Sequence, residues 1–276
     1  MMSWGAGSRF GDRYLLVELL GGDSRARVWR AIDEVLDRPV AVNVLRSSWC
    51  GTDALLPAVA ARVPIVIGLS HSGIAVTYEY GETRTSVHRD NLMLAGERGS
   101  ELVAYLVTEL VPGRALSSML ASEGRLGVDD TLGLVAQAAR ALHAAHQSGV
   151  IHENVRPGNL MVTVQGRVKV TDFAIPSRTA HYLAPELAAG EAPTPLSDVY
   201  ALGAVAYECL TGRPPFDGDN QVAVALAHLN QQPPPLPATI PSRVRTLVDT
   251  ALEKGPHLRI RDAETFAATL EQLRSP

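Results

Sequence analysis

A change of hydrophobic period at Pro112-Gly113 divides this chain into two unlike parts, and that division limits what it can fold into. Upstream, runs rich in β-branched and aromatic residues (14–20, 28–32 and 39–45) are separated by Gly-Gly-Asp-Ser and Asp/Arg turns, the signature of short antiparallel strands. The spacing predicts one weak helix over 53–63, stopped by Pro64. Strands over 74–80 and 101–110 follow, joined by a long polar hairpin through 83–100. Downstream the apolar residues recur every three or four positions. Helices are expected over 128–147, ended by Gly149, and over 196–210, 220–229, 241–252 and 262–273. Two short strands, 160–164 and 167–171, flank Gln165-Gly166. The fold class is therefore α+β. It has a small antiparallel β lobe (10–111), a larger helical lobe (112–276) and a linker-like start (1–9).

A length of 276 residues suffices for one large domain or two packed lobes. A 46% hydrophobic, 20% charged composition fits a soluble globular protein, and a net charge of −4 argues against a nucleic-acid or anionic-membrane partner. No apolar run is long enough to span a bilayer, and no signal peptide is evident. Cys50 and Cys209 lack metal-ligand spacing and read as reduced, partly buried thiols. Positive charge comes almost wholly from arginine, with only two lysines, Lys169 and Lys254. The proline-rich run 232–237 reads as a rigid connector between two helices rather than as a recognition ligand.

The chemistry-bearing segments come in a fixed order. Residues 20–28 read LGGDSRARV, 40–45 VAVNVL, 69–74 LSHSGI, 152–159 HENVRPGN, 172–174 DFA, 184–186 APE and 197–203 SDVYALG. Together they resemble the bacterial Ser/Thr protein-kinase family over about residues 10–273, which implies a bilobal protein-kinase-like fold. The resemblance also assigns roles. Gly21, Asp23 and Ala26 stand at the three glycine positions of the phosphate-covering loop, where Asp23 would repel a triphosphate. Asn43 replaces the lysine that holds the α- and β-phosphates. Arg62 falls near the glutamate that steadies that lysine, and no glutamate occurs between Val35 and Tyr78.

Asn154 stands where the family has its catalytic aspartate, and an amide does not titrate near neutral pH, so it cannot be a general base. Glu153 replaces an arginine, and as a loop neighbour of Asn154 it is expected to face elsewhere. Ala174 ends the D-F-G-like triplet. Asn159 and Asp172 survive as the pair of magnesium ligands but read as loop-shaping residues. Residues 173–183, eleven in all, separate Asp172 from Ala184, fewer than is usual in the family. Asp198, Glu186 and Arg259 are the retained structural residues.

This pattern of losses implies a catalytically inactive pseudokinase with no cofactor, acting as a phosphorylation-dependent scaffold. The alternative is a weak or atypical Ser/Thr kinase that still binds MgATP. The losses are similar to those of the cytosolic pseudokinase domain of mycobacterial peptidoglycan-precursor flippase homologues. That resemblance implies a cytoplasmic segment of an integral membrane protein, active in cell-wall synthesis. It further implies phosphorylation by an active Ser/Thr kinase and binding by an FHA-domain protein that reads the phosphothreonine. Thr269 is the expected acceptor, as a frayable terminal position, with Thr265 second.

Overall fold

The computed structural model describes residues 5–22, 26–46, 55–87, 99–175, 179–218 and 220–274. Its contacts separate into two compact units, residues 1–69 with 75–110, and residues 70–74 with 111–276.

The first unit is an antiparallel sheet in the order β1-β2-β3-β4-β6-β5. The strands are β1 (Arg9–Phe10), β2 (Tyr14–Gly22), β3 (Ala26–Asp33), β4 (Arg38–Arg46), β5 (Thr77–Val87) and β6 (Gly99–Glu109). Alternation places Trp29 and Ala31, then Val40, Val42 and Val44, then Val103, Tyr105 and Val107 on one face. There they pack with Phe10, Tyr14 and Leu16. The other face carries Ala41, Asn43 and Leu45, all buried. Arg13 ties the strand ends together: it holds Asp33 through Nε and Nη2 at 2.7 Å each and Glu79 through Nη1 at 2.7 Å.

Two sequence expectations change here. Helix α1 (Leu55–Ile67) continues through Pro64 instead of stopping before it. Proline removes one backbone donor from the last turn. Burial of Val63 and Val66, on either side of Pro64, keeps that turn wound nevertheless. The strand expected over 74–80 begins only at Thr77 and runs on to Val87, because past a register shift at Thr77/Glu79 its backbone stays paired with β6 down to the Val87↔Gly99 pair. Ile74 instead makes a parallel bridge to Val170 in the second unit.

That second unit is helical. Strand β7 (Gly113–Ala115) leads into α2 (Leu116–Glu123) and α3 (Val128–Gln147). Strands β8 (Leu160–Thr163) and β9 (Val168–Val170) pair with β7 in the order β7-β8-β9. Next come α4 (Pro185–Ala188), α5 (Pro195–Thr211), α6 (Gln221–Asn230), α7 (Ser242–Ala251) and α8 (Ala263–Arg274). Helix α5 starts on a capping box between Thr194 and Ser197 with Pro195 in its first turn. It ends at Gly212, whose φ of 82° suits a residue without Cβ. Arg140 on α3 clamps α8 by bonding Glu264 at 2.9 Å and Glu271 at 2.7 Å. Among the described residues, no helix is long and apolar enough to cross a membrane.

Candidate functional site

The loop at 152–159 in the second unit is held by one carboxylate. Asp198, in the first turn of α5 and almost fully buried, accepts from His152 N–H at 2.8 Å, Glu153 N–H at 3.0 Å and His146 Nε2 at 2.7 Å. The His152 ring adds a second tie. Its Nδ1 accepts from Asn154 N–H at 3.1 Å, so Nε2 carries the proton and donates it to Thr171 O at 2.8 Å. The same ring meets Phe173 edge-on at 4.5 Å. His146 was not singled out from the sequence. Its place in the last turn of α3, six residues before His152, is the only signal that pointed to it.

Within this frame Asn154 is buried. Its Nδ2 donates to Ile175 O at 3.2 Å, and its Oδ1 has no hydrogen-bond partner. Asn159, also buried, donates from Nδ2 to Asn154 O at 2.9 Å, which turns its Oδ1 away from that bond. Asn159 O in turn receives Thr171 N–H at 2.9 Å. Glu153 and Asp172 both hold φ above 60°, at 61° and 65°. Such backbone is uncommon for residues with side chains and concentrates at functional positions. Glu153 and Asn154 are adjacent on this loop. Both line a cavity of about 20 Å³, together with Thr179, Tyr182, Ser197 and Asp198. That volume is about enough for one water.

The short segment after Asp172 is firmly tied where it is described. Ala174 is fully buried, and Ile175 N–H returns to Asp172 O at 3.0 Å. Tyr182 donates to Glu208 at 2.6 Å, and His181 meets Asp217 at 3.1 Å. Burial pushes the Glu208 carboxyl above its ordinary range, against the opposing Tyr182 bond. Beyond the segment, Arg259 grips Glu186 through both terminal nitrogens, at 2.8 and 2.7 Å. Neither the Tyr182–Glu208 pair nor a cluster around Lys254 was foreseen. Lys254 Nζ donates to His228 O at 2.7 Å and lies 4.7 Å from the Phe216 ring centroid.

In the first unit, Gly21 and Gly22 close β2 with φ of 153° and 156°, a region essentially reserved for glycine. A Cβ on Gly22 would meet Ala26 O at 2.3 Å. Ala26 is buried at the start of β3, whereas Asp23 lies outside the described residues. Asn43 sits on β4 between Val28 and Leu106, 2% exposed, with an Oδ1 that has no hydrogen-bond partner. Arg62 lies half-buried on α1. Thr265 and Thr269 lie on α8, which continues to Arg274, so Thr269 is inside a helix rather than at a frayed end. Thr269 Oγ1 donates to Thr265 O at 2.8 Å, while Arg261 Nε donates to Thr265 Oγ1 at 2.9 Å.

No group of three or more His, Cys, Asp or Glu side chains that could hold a metal exists among the described residues. The Asn159 and Asp172 oxygens form a hard, incomplete donor set, suited to an ion held mainly by nucleotide phosphates.

The chain matches the protein kinase domain family over residues 14–270 and belongs to that family. It is 37% identical over 288 residues to the serine/threonine-protein kinase PknA of Mycobacterium tuberculosis, covering 99% of this chain and 64% of that protein. It is 30% identical over 282 residues to PrkC of Bacillus subtilis, covering 96% of this chain and 41% of the relative. The chain thus spans less than two thirds of the length of these curated relatives. The crystal structure of the Mycobacterium tuberculosis PknI kinase domain is 26% identical, with a TM-score of 0.79 over 99% of this chain and 100% of that one. These findings correct the expectation that the chain is not an enzyme: relatives matching across the whole domain are named Ser/Thr kinases. Substituted side chains alone do not abolish the family's chemistry. Phosphoryl transfer depends mainly on positioning and electrostatics, which a scaffold can supply in part without a strong base.

Proposed function

We propose that this domain is an atypical Ser/Thr protein kinase of low turnover that binds MgATP. The carrying observation is that Asn159, on the loop pinned by Asp198, and Asp172, next to the Thr171 carbonyl that His152 bonds, are both retained. The names of the full-domain relatives support the same reading. Bound magnesium would neutralise charge on the phosphates, and Asn159 and Asp172 would hold it. The Asn154 amide, buried and with its Oδ1 unpartnered, supports the shape of the loop rather than supplying a base. It cannot take the proton, and a missing base costs on the order of 10²–10⁴ in rate. Asn43, short and uncharged, gives the phosphates no cation.

Transfer of labelled γ-phosphate to a generic protein substrate tests this. The expected result is slow incorporation that D172N abolishes and N154D accelerates. Incorporation that persists unchanged in D172N, or its absence from the wild type at high enzyme concentration, overturns the reading.

A second, docking role draws on the half-buried α8 threonines, of which Thr265 Oγ1 receives Arg261 Nε. In it, an active Ser/Thr kinase phosphorylates Thr269 or Thr265, and an FHA-domain protein reads the mark in a cell-wall setting. Phosphosite mapping after incubation with an active kinase tests it, and an unmodified α8 removes it.

A further inference from the structure

Lys254 lies just after α7 and is one of two lysines in the chain. It is half-buried, and the groups that hold its ammonium are neutral. Nζ donates to His228 O at 2.7 Å and to the Tyr200 hydroxyl at 3.3 Å. It lies 4.7 Å from the Phe216 ring centroid and 5.7 Å from that of Tyr200. The Tyr200 hydroxyl also meets His228 Nδ1 at 2.9 Å. Burial keeps these two side chains neutral: it holds the His228 imidazole down to about 3 and pushes the Tyr200 phenol up.

The charges nearby do not balance the ammonium. The Arg259 guanidinium lies 4.9 Å from the same Tyr200 centroid and repels Lys254, while Glu186 is committed to Arg259 at 2.7 and 2.8 Å. Adjacent Glu253 attracts the ammonium. Burial and the Arg259 charge outweigh that attraction and hold the amine down to about 8, from an ordinary 10.5. A lysine desolvated beside another cation is the kind that gives up its proton and becomes a nucleophile.

We propose that Lys254 is an acylation site, taking a small acyl group such as acetyl from an acyl phosphate. The lone pair of the neutral Nζ attacks the acyl carbon. An N–C bond forms, the C–O bond to phosphate breaks, phosphate leaves with that electron pair, and the surplus amine proton passes to it. The surroundings suit the product: His228 O can keep the one remaining N–H, the Tyr200 hydroxyl can meet the new carbonyl, and the Phe216 ring can take the methyl. A carbamate formed from carbon dioxide is less suited. Its nearest cation, Arg259, already has all five N–H groups engaged. Acylation would also discharge the cation at His228 O in the last turn of α6, where positive charge complements the helix dipole.

Initial rates of acetylation by acetyl phosphate, read site by site by peptide mass spectrometry, test the proposal. The full chain is compared folded and unfolded in guanidinium chloride. At pH 8 an amine titrating near 8 is about half neutral, against about 0.3% for an ordinary lysine. Partial burial and lower basicity cut that ratio, so Lys254 should react about ten-fold faster folded than unfolded. Its folded rate should level off above about pH 8.5, whereas the unfolded rate should climb on toward about pH 10. Lys169 on β9, also half-buried, is the internal control and should not react faster in the folded chain. Three results overturn the proposal: Lys254 reacting no faster folded than unfolded, equal acceleration at Lys169, or a folded Lys254 rate that never levels off.

Discussion

Replacing Arg259 with methionine removes five hydrogen bonds at once while nearly preserving side-chain volume. All five guanidinium N–H groups are engaged: Nε with Glu253 O at 2.7 Å, Nη1 with Glu186 Oε1 at 2.8 Å and Leu196 O at 2.9 Å, and Nη2 with Glu186 Oε2 at 2.7 Å and Lys254 O at 2.9 Å. In R259M, Glu186 keeps a single side-chain donor, Ser197 Oγ at 2.7 Å, and stays 4% exposed. Breaking a buried pair from one side typically costs about 3–5 kcal/mol, chiefly because the partner charge is left uncompensated. We expect R259M to lose that much, and E186Q/R259M to lose less than the two single changes added together.

The pH dependence sharpens the test. Burial alone would push Glu186 up, but the bonds from Arg259 and Ser197 outweigh it and hold the carboxyl below its ordinary 4.5. A depressed carboxyl stabilises the fold above its unfolded pKa, and this stabilisation is lost as pH falls through the folded value. Without Arg259 the burial effect wins, so R259M should gain stability on mild acidification where the wild type does not. Urea unfolding followed by far-UV circular dichroism reports on the helical unit. Trp29, buried in the sheet, is the tryptophan among the described residues, and its emission follows the sheet unit separately. A cost below about 1 kcal/mol in the dichroism transition, or an acid slope equal to the wild type, would refute the reasoning.

Asn43 supplies a paired test in the sheet unit. N43K buries an ammonium where no neighbouring glutamate is available in sequence, and should cost several kcal/mol in urea unfolding. N43L removes the unpartnered Oδ1 and should gain about 1–3 kcal/mol. For the nucleotide reading, saturating MgATP at ~100 times its Kd should stabilise the wild type by about 2.7 kcal/mol, and D172N should abolish the thermal shift. Burial holds Lys254 down to about 8, against an ordinary 10.5. The unfolded chain therefore binds more protons between those values, and stability should rise as pH climbs through that window. K254M should flatten the rise, as measured by melting temperature against pH.

The sequence by itself determined the division into a strand-rich and a helical part, because hydrophobic period and turn residues are local properties of the chain. It also located the motif positions, since Asn154, Asn159, Asp172 and Asp198 are read by order and spacing. Tertiary structure decided the remainder. Helix α1 passes through Pro64 because Val66 gains burial on its far side, a contact no local rule contains. The left-handed backbone at Glu153, and the cavity that Glu153 and Asn154 both line, belong to the folded loop and not to any local sequence signal. Tyr182 finds Glu208, and Lys254 finds His228, across separations that only packing closes. Even the proline run, legible as a stiff connector, acquired an inward and an outward side only when Leu236 was anchored in the core. Periodicity fixes which segments form. Which side chains meet depends on long-range burial, and it is that meeting which makes a site.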